Sequence, residues 1–226
     1  MADTRQVAAF LDGQLAVVRI EDSSRNGLQV DRPGPVTRIG AGVDATLEFF
    51  EAARKRGADF LVCHHGLSWG DSLARLTGLN FRRVSALIEG RMALYGSHLP
   101  LDAHPRLGNN ILLARALGLR RLRRFGGYHG QPIGYAGDWP RACAPRELAR
   151  RMERVLGHPP TVMDYGPRRI RRVGVISGGG AFALEEAAEQ GLDALVTGEV
   201  SLQGYTLARD LRLHAFFGGH YATERF

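Results

Sequence analysis

With only two cysteines, Cys63 and Cys143, the chain cannot carry a disulfide framework, and that scarcity suits a reducing compartment. Lysine is scarcer still. Lys55 is the only one, so the 30 basic residues are nearly all arginine. A bias that uniform reads first as a habit of composition and only second as a binding signal. No uninterrupted apolar run is long enough to span a bilayer, which excludes a membrane partner of the spanning kind. The start, Met1-Ala2-Asp3-Thr4-Arg5, carries an acid early and lacks the basic-then-apolar layout of a signal peptide. Together these absences point to the cytoplasm.

What is present is ordinary for a globular protein: 44% hydrophobic and 23% charged residues over 226 positions, enough for one large domain or two small ones. The net charge is +7. The dense arginine runs, Arg120-Arg121-Leu122-Arg123-Arg124 and Arg168-Arg169-Ile170-Arg171-Arg172, each flank an expected strand. Solvated edges explain them most simply. Attraction of phosphate is the functional alternative, for an anionic small molecule before a nucleic acid. No helix-turn-helix, zinc-finger spacing or RNA-binding aromatic signature accompanies the charge.

The chain is organised around Leu61-Val62-Cys63-His64-His65-Gly66. Its apolar part reads as a short buried strand, and Gly66 permits the backbone to turn after it. Open α/β sheets bind ligands at strand ends. Alternation along a strand aims neighbouring side chains apart, which suits one histidine to each of two ions better than both to one. The plainer reading is one histidine capping the strand and the other exposed.

Around this stretch, the pattern predicts helices over 4–16 (with Val7, Phe10, Leu11 and Leu15 as the buried stripe), 45–56, 80–89, 109–117, 144–155, 182–190 and 202–210. It predicts strands over 28–30, 38–43, 60–63, 92–95, 172–176, 194–197 and 215–217. Trp69 sits in a loop, where it can stack a base or simply close the loop. Glycines 126, 127, 130, 134 and 137 with Pro132 and Pro140 read as the end of a first unit. The expected division is therefore 1–125 and 126–226, the C-terminal segment completing the first repeat. Ser177-Gly178-Gly179-Gly180 is a tight turn or, less simply, a phosphate cradle.

Residues 38–65 align without a gap on 172–199 at an offset of 134. Arg38, Gly40, Glu51, Gly57, Asp59, Leu61 and Val62 fall on Arg172, Gly174, Glu185, Gly191, Asp193, Leu195 and Val196, and His64-His65 falls on Gly198-Glu199. A second block aligns at an offset of 122. Ala93, Gly96, His98 and Asp102 meet Ala215, Gly218, His220 and Glu224. Both copies end in histidine and, four residues on, a carboxylate, a spacing that shares one face of a helical turn. A duplication follows. The expected fold is α/β, two similar repeats, each with a small mostly parallel sheet flanked by helices.

The polar residues placed after strands are then His64, His65, His98, Asp102, Glu199, His220 and Glu224. Imidazole with carboxylate suits zinc, iron, manganese or nickel. The set exceeds what one structural ion needs and suits two ions sharing a carboxylate. Locally satisfied strand ends are the alternative. Cys63 reads as a core residue rather than a thiolate ligand, and His104, His129, His158 and His214 as structural or surface residues.

The segments NGLQV, GADFLVCHHG, YGSHLPLDAHPRLGNN, ISGGG, DALVTGEVS and GGHYATERF run in order from Asn26 to Phe226. In these the chain resembles the GTP cyclohydrolase I type 2 homologue family, also described as Nif-three-like or YbgI-like. The resemblance implies two intertwined α/β repeats and a dinuclear centre. His65 and Asp102 would bind one divalent ion, His64 and His220 the other, and Glu224 would bridge them. His98 is implied to lie close by with an acid/base or supporting role, and Glu199 to line the same cleft. The resemblance also implies a toroidal homohexamer. Family members continue past the GHYATE segment with a further helix and strand, whereas this chain stops two residues after Glu224, so the helix carrying Glu224 is expected to be barely started. The implied activity is metal-dependent hydrolysis of a nucleotide-like or phosphorylated small molecule. The alternative is a non-enzymatic metal-binding scaffold or regulatory protein working through partners.

Overall fold

The computed structural model describes residues 1–70 and 72–226. The described chain forms two compact units, Met1–Leu101 and Asp102–Phe226. The division expected at 125/126 falls instead inside a strand of the second unit, and Asp102 belongs to that unit.

The first unit opens with α1 (Thr4–Leu15), capped by Asp3, which accepts from the Gln6 N–H while Gln6 reaches back to the Asp3 N–H. Then follow β1 (Gly27–Val30), β2 (Ile39–Asp44), α2 (Leu47–Lys55), β3 (Phe60–His65), α3 (Gly78–Glu89) and β4 (Ala93–Gly96). The sheet order is β1-β4-β3-β2. β2, β3 and β4 are parallel, and β1 is antiparallel to β4. Strand alternation sorts the core. Leu61 and Cys63 face Phe50, Ala53 and Leu87 of α2 and α3, while Phe60 and Tyr95 face Ala8 and Leu15 of α1. Each large side chain so buried contributes about 1.5–3 kcal/mol. Phe10, expected on that stripe, is 65% exposed: it lies off the face that α1 lays on the sheet.

The division between the units falls at the last residue of the short helix α4 (Leu99–Asp102). The second unit then has α5 (Asn109–Ala116), β5 (Arg120–Tyr128), β6 (Gln131–Cys143), α6 (Pro145–Leu156), β7 (Thr161–Met163), β8 (Ile170–Val175), α7 (Leu184–Glu189), β9 (Ala194–Thr197), α8 (Leu202–Asp210), β10 (His214–Phe217) and α9 (His220–Thr223). Its sheet runs β5-β6-β8-β9-β10-β7, with β8, β9 and β10 parallel. The core packs α5 and α6 on that sheet through Leu113, Leu117, Leu148, Met152, Val173 and Phe216.

The duplication is visible bond by bond. Ile39 and Gly40 pair with Phe60 and Leu61, and Val173 and Gly174 pair with Ala194 and Leu195, the same register at the offset of 134. Gly57 ends the helical segment with φ +70°, and Gly191 does so with φ +63°. The Asp59 carboxylate accepts from the Thr37 and Arg38 N–H groups at 2.9 and 3.2 Å. Asp193 accepts from Arg171 and Arg172, both at 2.8 Å. The second block differs by one residue. Leu61 pairs with Leu94 and Leu195 with Ala215, so the strands correspond at 121, not 122. One residue, Ser97, separates β4 from His98; two glycines, Gly218 and Gly219, separate β10 from His220.

The glycine-rich stretch is not the end of a unit. It is the β5–β6 hairpin, closed between Tyr128 and Gln131 by His129 (φ 47°) and Gly130 (φ 75°). Two successive positive φ angles make the mirror-image turn that matches strand twist. The other glycines there make room: a Cβ on Gly134 would lie 2.5 Å from Ile176. The first arginine run lies within β5 rather than beside it. No described helix is long and apolar enough to cross a membrane.

Candidate metal centre

In the first unit three histidines gather at the ends of β3 and β4. The rings of His64 and His65 lie 4.7 Å apart, His64 and His98 5.1 Å, and His65 and His98 5.6 Å. Alternation therefore does not carry the adjacent pair apart, because both sit at the strand end. One ring nitrogen from each of the three lies within 4.8 Å of the others. Each Nδ1 has a fixed acceptor. His64 Nδ1–H donates to the Ser97 carbonyl at 3.0 Å, His65 to the Asp44 carboxylate at 2.8 Å, and His98 to Asp22 at 3.0 Å. An acceptor on Nδ1 orients each ring, which is the outer support a metal-ligating imidazole uses.

Asp22 is itself tied down. Burial raises its pKa, but hydrogen bonds from His98 and Asn26, the His98 charge and the Ser24 N–H outweigh that and bring it down to about 2. Asp22 also accepts from the Leu99 N–H at 3.0 Å, and Asn26 Oδ1 accepts from the His98 N–H at 2.7 Å. Gly66 has no positive φ. Its role is close approach: a Cβ there would lie 2.4 Å from Gln29, whose Oε1 accepts from Leu67 N–H at 2.7 Å. Trp69 donates to the Gly66 carbonyl at 2.8 Å and meets His98 edge-on at 4.8 Å, so it closes the loop over the histidines.

In the second unit Asp102 is 4% exposed and accepts from Asn109 at 2.9 Å and from the Ser177 hydroxyl at 3.2 Å. His220 lies between two carboxylates, with Nδ1 at 2.7 Å from Glu199 and Nε2 at 3.1 Å from Glu224. The Glu224 hydrogen bond raises the pKa of His220, burial opposes it, and the Glu224 and Glu199 charges add to the rise, to about 9. Glu224 is buried, one residue past the short helix α9. Gly178 makes room for the pair, since a Cβ there would lie 2.4 Å from Glu224. An open cleft of ≈ 570 Å³ adjoins them, lined by His158, Pro159, Gly198, Glu199, Phe217 and His220 among others.

The turn after β8 is no phosphate cradle. Its Ser177, Gly178 and Gly180 N–H groups already donate to Asn110, Thr223 and Thr197. Burial pushes the Cys63 thiol up to about 12, with the Asp44 charge adding, and Cys143 to about 11, where Glu147 adds to burial. Both are core thiols. His104 accepts from two backbone N–H groups, His129 sits in the hairpin turn and His214 bonds the Pro167 carbonyl. Sequence reasoning missed Asp22, Asp44, Asn109 and Asn110. Asn109 and Asn110 stood in a quoted segment without a role, and the two acids lie far from their histidines in sequence.

Compared with known proteins, the chain matches the family described as Duf34/NIF3 (NGG1p interacting factor 3) over residues 2–226. It belongs to that family. It is 42% identical to a protein of Deinococcus radiodurans over 98% of its own length and 84% of the relative's, and 40% identical to one of Archaeoglobus fulgidus over 98% and 88%. Both relatives are named GTP cyclohydrolase 1 type 2 homolog. Among solved structures it is similar to protein ybgI, titled as of unknown function, with TM-score 0.93, 36% identity and coverage of 99% and 89%. It is also similar to TTHA1606 from Thermus thermophilus, with TM-score 0.91, 33% identity and coverage of 100% and 89%. The Duf34/NIF3 family thus accounts for the mixed α/β fold.

Proposed function

We propose that this Duf34/NIF3 protein binds two divalent ions through His64, His65, Asp102, His220 and Glu224, and uses them to hydrolyse a nucleotide-like or phosphorylated small molecule. One observation carries the reading: His64, His65, His98 and His220 all have Nδ1 engaged by a carboxylate or carbonyl oxygen. That is the outer support that metal-ligating imidazoles need. Mixed imidazole and buried carboxylate donors suit zinc, iron, manganese or nickel. When bound, such ions supply Lewis-acid activation of water and of a substrate oxygen.

The chain's own groups supply the rest. Asp22 holds the His98 ring, whose Nε2 takes a proton from attacking water and returns it to the leaving oxygen. Glu199 orients His220. The cleft beside His220 and Glu199 receives the substrate, and the arginine excess draws an anionic one. Assembly of several copies, as a hexamer, is part of the proposal, and light scattering of the purified protein checks it.

The deciding experiment compares the metal-loaded protein with its Glu224→Gln variant. Elemental analysis should give two ions per chain in the parent and fewer in the variant. A nucleotide and phosphoester panel should show turnover in the parent that drops by at least roughly 100-fold in the variant. Equal turnover in the two proteins sinks the hydrolase reading. Two ions with no turnover on any substrate favours a metal-binding scaffold acting through partners.

A further inference from the structure

We propose that β2, the outer strand of the first unit's sheet, pairs antiparallel with β2 of a second copy of this chain. This takes from the proposed function only that copies assemble, and it names the surface and the register. β2 ends the order β1-β4-β3-β2 and is bonded on its inner side to β3. The Phe60 N–H donates to the Arg38 carbonyl at 3.3 Å, so by alternation the main-chain groups of Gly40 and Gly42 also turn to β3. Those of Ile39, Ala41 and Val43 turn to the open edge. The other sheet edges are blunted. β1 and β5 each carry a register shift against their neighbours, β5 has exposed arginines, and β7 has only three residues. β2 has six residues, no such shift, and no charge between Arg38 and Asp44. Its face toward α1 is uncovered as well. Phe60 and Tyr95 on the inner strands are buried against α1, whereas Ile39, beside Phe60, is 55% exposed and Ala41 is exposed.

The occupant is a second copy because the strand is complementary to itself. About a two-fold axis at Ala41, Ile39 meets Val43 of the second copy, Gly40 meets Gly42, and Arg38 meets Asp44. The three outward-facing residues then fall on hydrogen-bonded positions, two bonds to a pair and roughly six in all. Arg38 and Asp44 are both exposed and lie opposite each other at each end, an attractive cross-strand pair. Arg38 also donates to the Arg56 carbonyl and Asp44 Oδ1 accepts from His65, which leaves each a further nitrogen or oxygen for the partner. A slip of two residues keeps the strands bonded but parts these charges, so the sequence selects the register. An isologous contact of this kind closes on itself, joining the two four-stranded sheets into one without propagating into a fibre.

The test measures the mass of the full chain by analytical ultracentrifugation. Ala41→Pro removes an outward N–H and none of the bonds to β3, and should halve the mass of the parent assembly. Ile39→Lys puts a charge on the edge and should do the same, with circular dichroism showing that both variants are folded. Facing Ala41 residues would have Cα atoms about 5.5 Å apart, within reach of a disulfide. Both native cysteines are buried, so Ala41→Cys supplies the accessible thiol and should yield a covalent dimer on air oxidation. Glu51→Cys, exposed on α2, should not. An assembly whose mass neither edge variant changes overturns the pairing, even where a hexamer stands. Cross-linking of Ala41→Cys no greater than that of Glu51→Cys overturns it equally. A dimeric parent that both variants turn into a monomer supports the pairing while the hexamer fails. A monomeric parent overturns both and leaves the edge to an extended segment of another protein.

Discussion

His220 donates through both ring nitrogens to carboxylates, Glu199 at 2.7 Å and Glu224 at 3.1 Å, so in the metal-free protein it carries a positive charge at neutral pH. Its pKa is raised to about 9 by the Glu224 hydrogen bond, against burial and with help from Glu199. The sign of the consequence is fixed by linkage. Folding favours the protonated ring, so the stabilisation is complete below pH ~6.5, the ordinary histidine value, and is lost as pH rises through about 9. The metal-free protein should therefore lose thermal stability between pH 6.5 and 9 more steeply than its Glu199→Gln variant does. Binding an ion at His220 near pH 7.5 should also release close to one proton, read by titration calorimetry in buffers of different ionisation enthalpy. No release in any buffer contradicts the charged ring. None of this was legible in the sequence. The His-x-x-x-Glu spacing put His220 beside Glu224, but Glu199 arrives from a different strand end, and only the repeat alignment hinted at it. Asp22 and Asp44 had no such hint. A carboxylate that supports a histidine leaves no local pattern, because its partner is supplied by the fold.

At the scale of elements, the β-α-β repeats were readable because their inner strands β3 and β9 are buried on both faces and their helices end at a glycine of positive φ. The hairpin β5–β6 was not. Glycines that mark breaks elsewhere here admit Ile176 at Gly126 and Gly134 and Leu122 at Gly137 against the backbone. The hairpin also explains the first arginine run. β5 is the edge of its sheet, with a register shift between Arg120 and Arg123. Arg120, Arg121 and Arg123 are exposed, Arg121 pairs with Asp138 at 2.6 Å, and Arg124 lies 5.0 Å over the Tyr135 ring. Charge and a bulge are two ways of blunting an edge strand against pairing with another chain. Replacing Arg120 and Arg123 by valine should leave the melting temperature within a few degrees while promoting concentration-dependent self-association, measurable by light scattering. Unchanged monodispersity at high concentration would return the arginines to a ligand-binding role. At the hairpin tip, Gly130→Ala forces a Cβ onto φ 75° and should cost roughly 1 kcal/mol, read from a urea melt.

At the scale of the chain, a +7 molecule made basic almost wholly by arginine is a candidate for binding anions in general, and the fold divides that charge into separate jobs. Arg124 and Arg169 are spent on the main-chain carbonyls of Ala103 and Ala142, and Arg121 on Asp138. What the chain gathers at its strand ends is the opposite kind of group: imidazole nitrogen and buried carboxylate oxygen. Groups that bind an ion only when folded tie stability to metal. With free ion at about 100 times its dissociation constant, each site adds about 2.7 kcal/mol. For a chain of this size roughly 2–4 °C accompany each kcal/mol, so each occupied site should raise the melting temperature by roughly 5–10 °C. Chelator should lower the transition by that amount, and Zn²⁺ should restore it. Lowering the pH below about 5 should erase the difference, because protonated imidazoles no longer ligate. Calorimetry can assign the effect, since the chain has two compact units. His65→Gln and Glu224→Gln should each remove part of the shift, whereas His98→Gln should leave most of it. A chelator-insensitive transition in the metal-loaded protein would show that these residues do not bind an ion from the folded state.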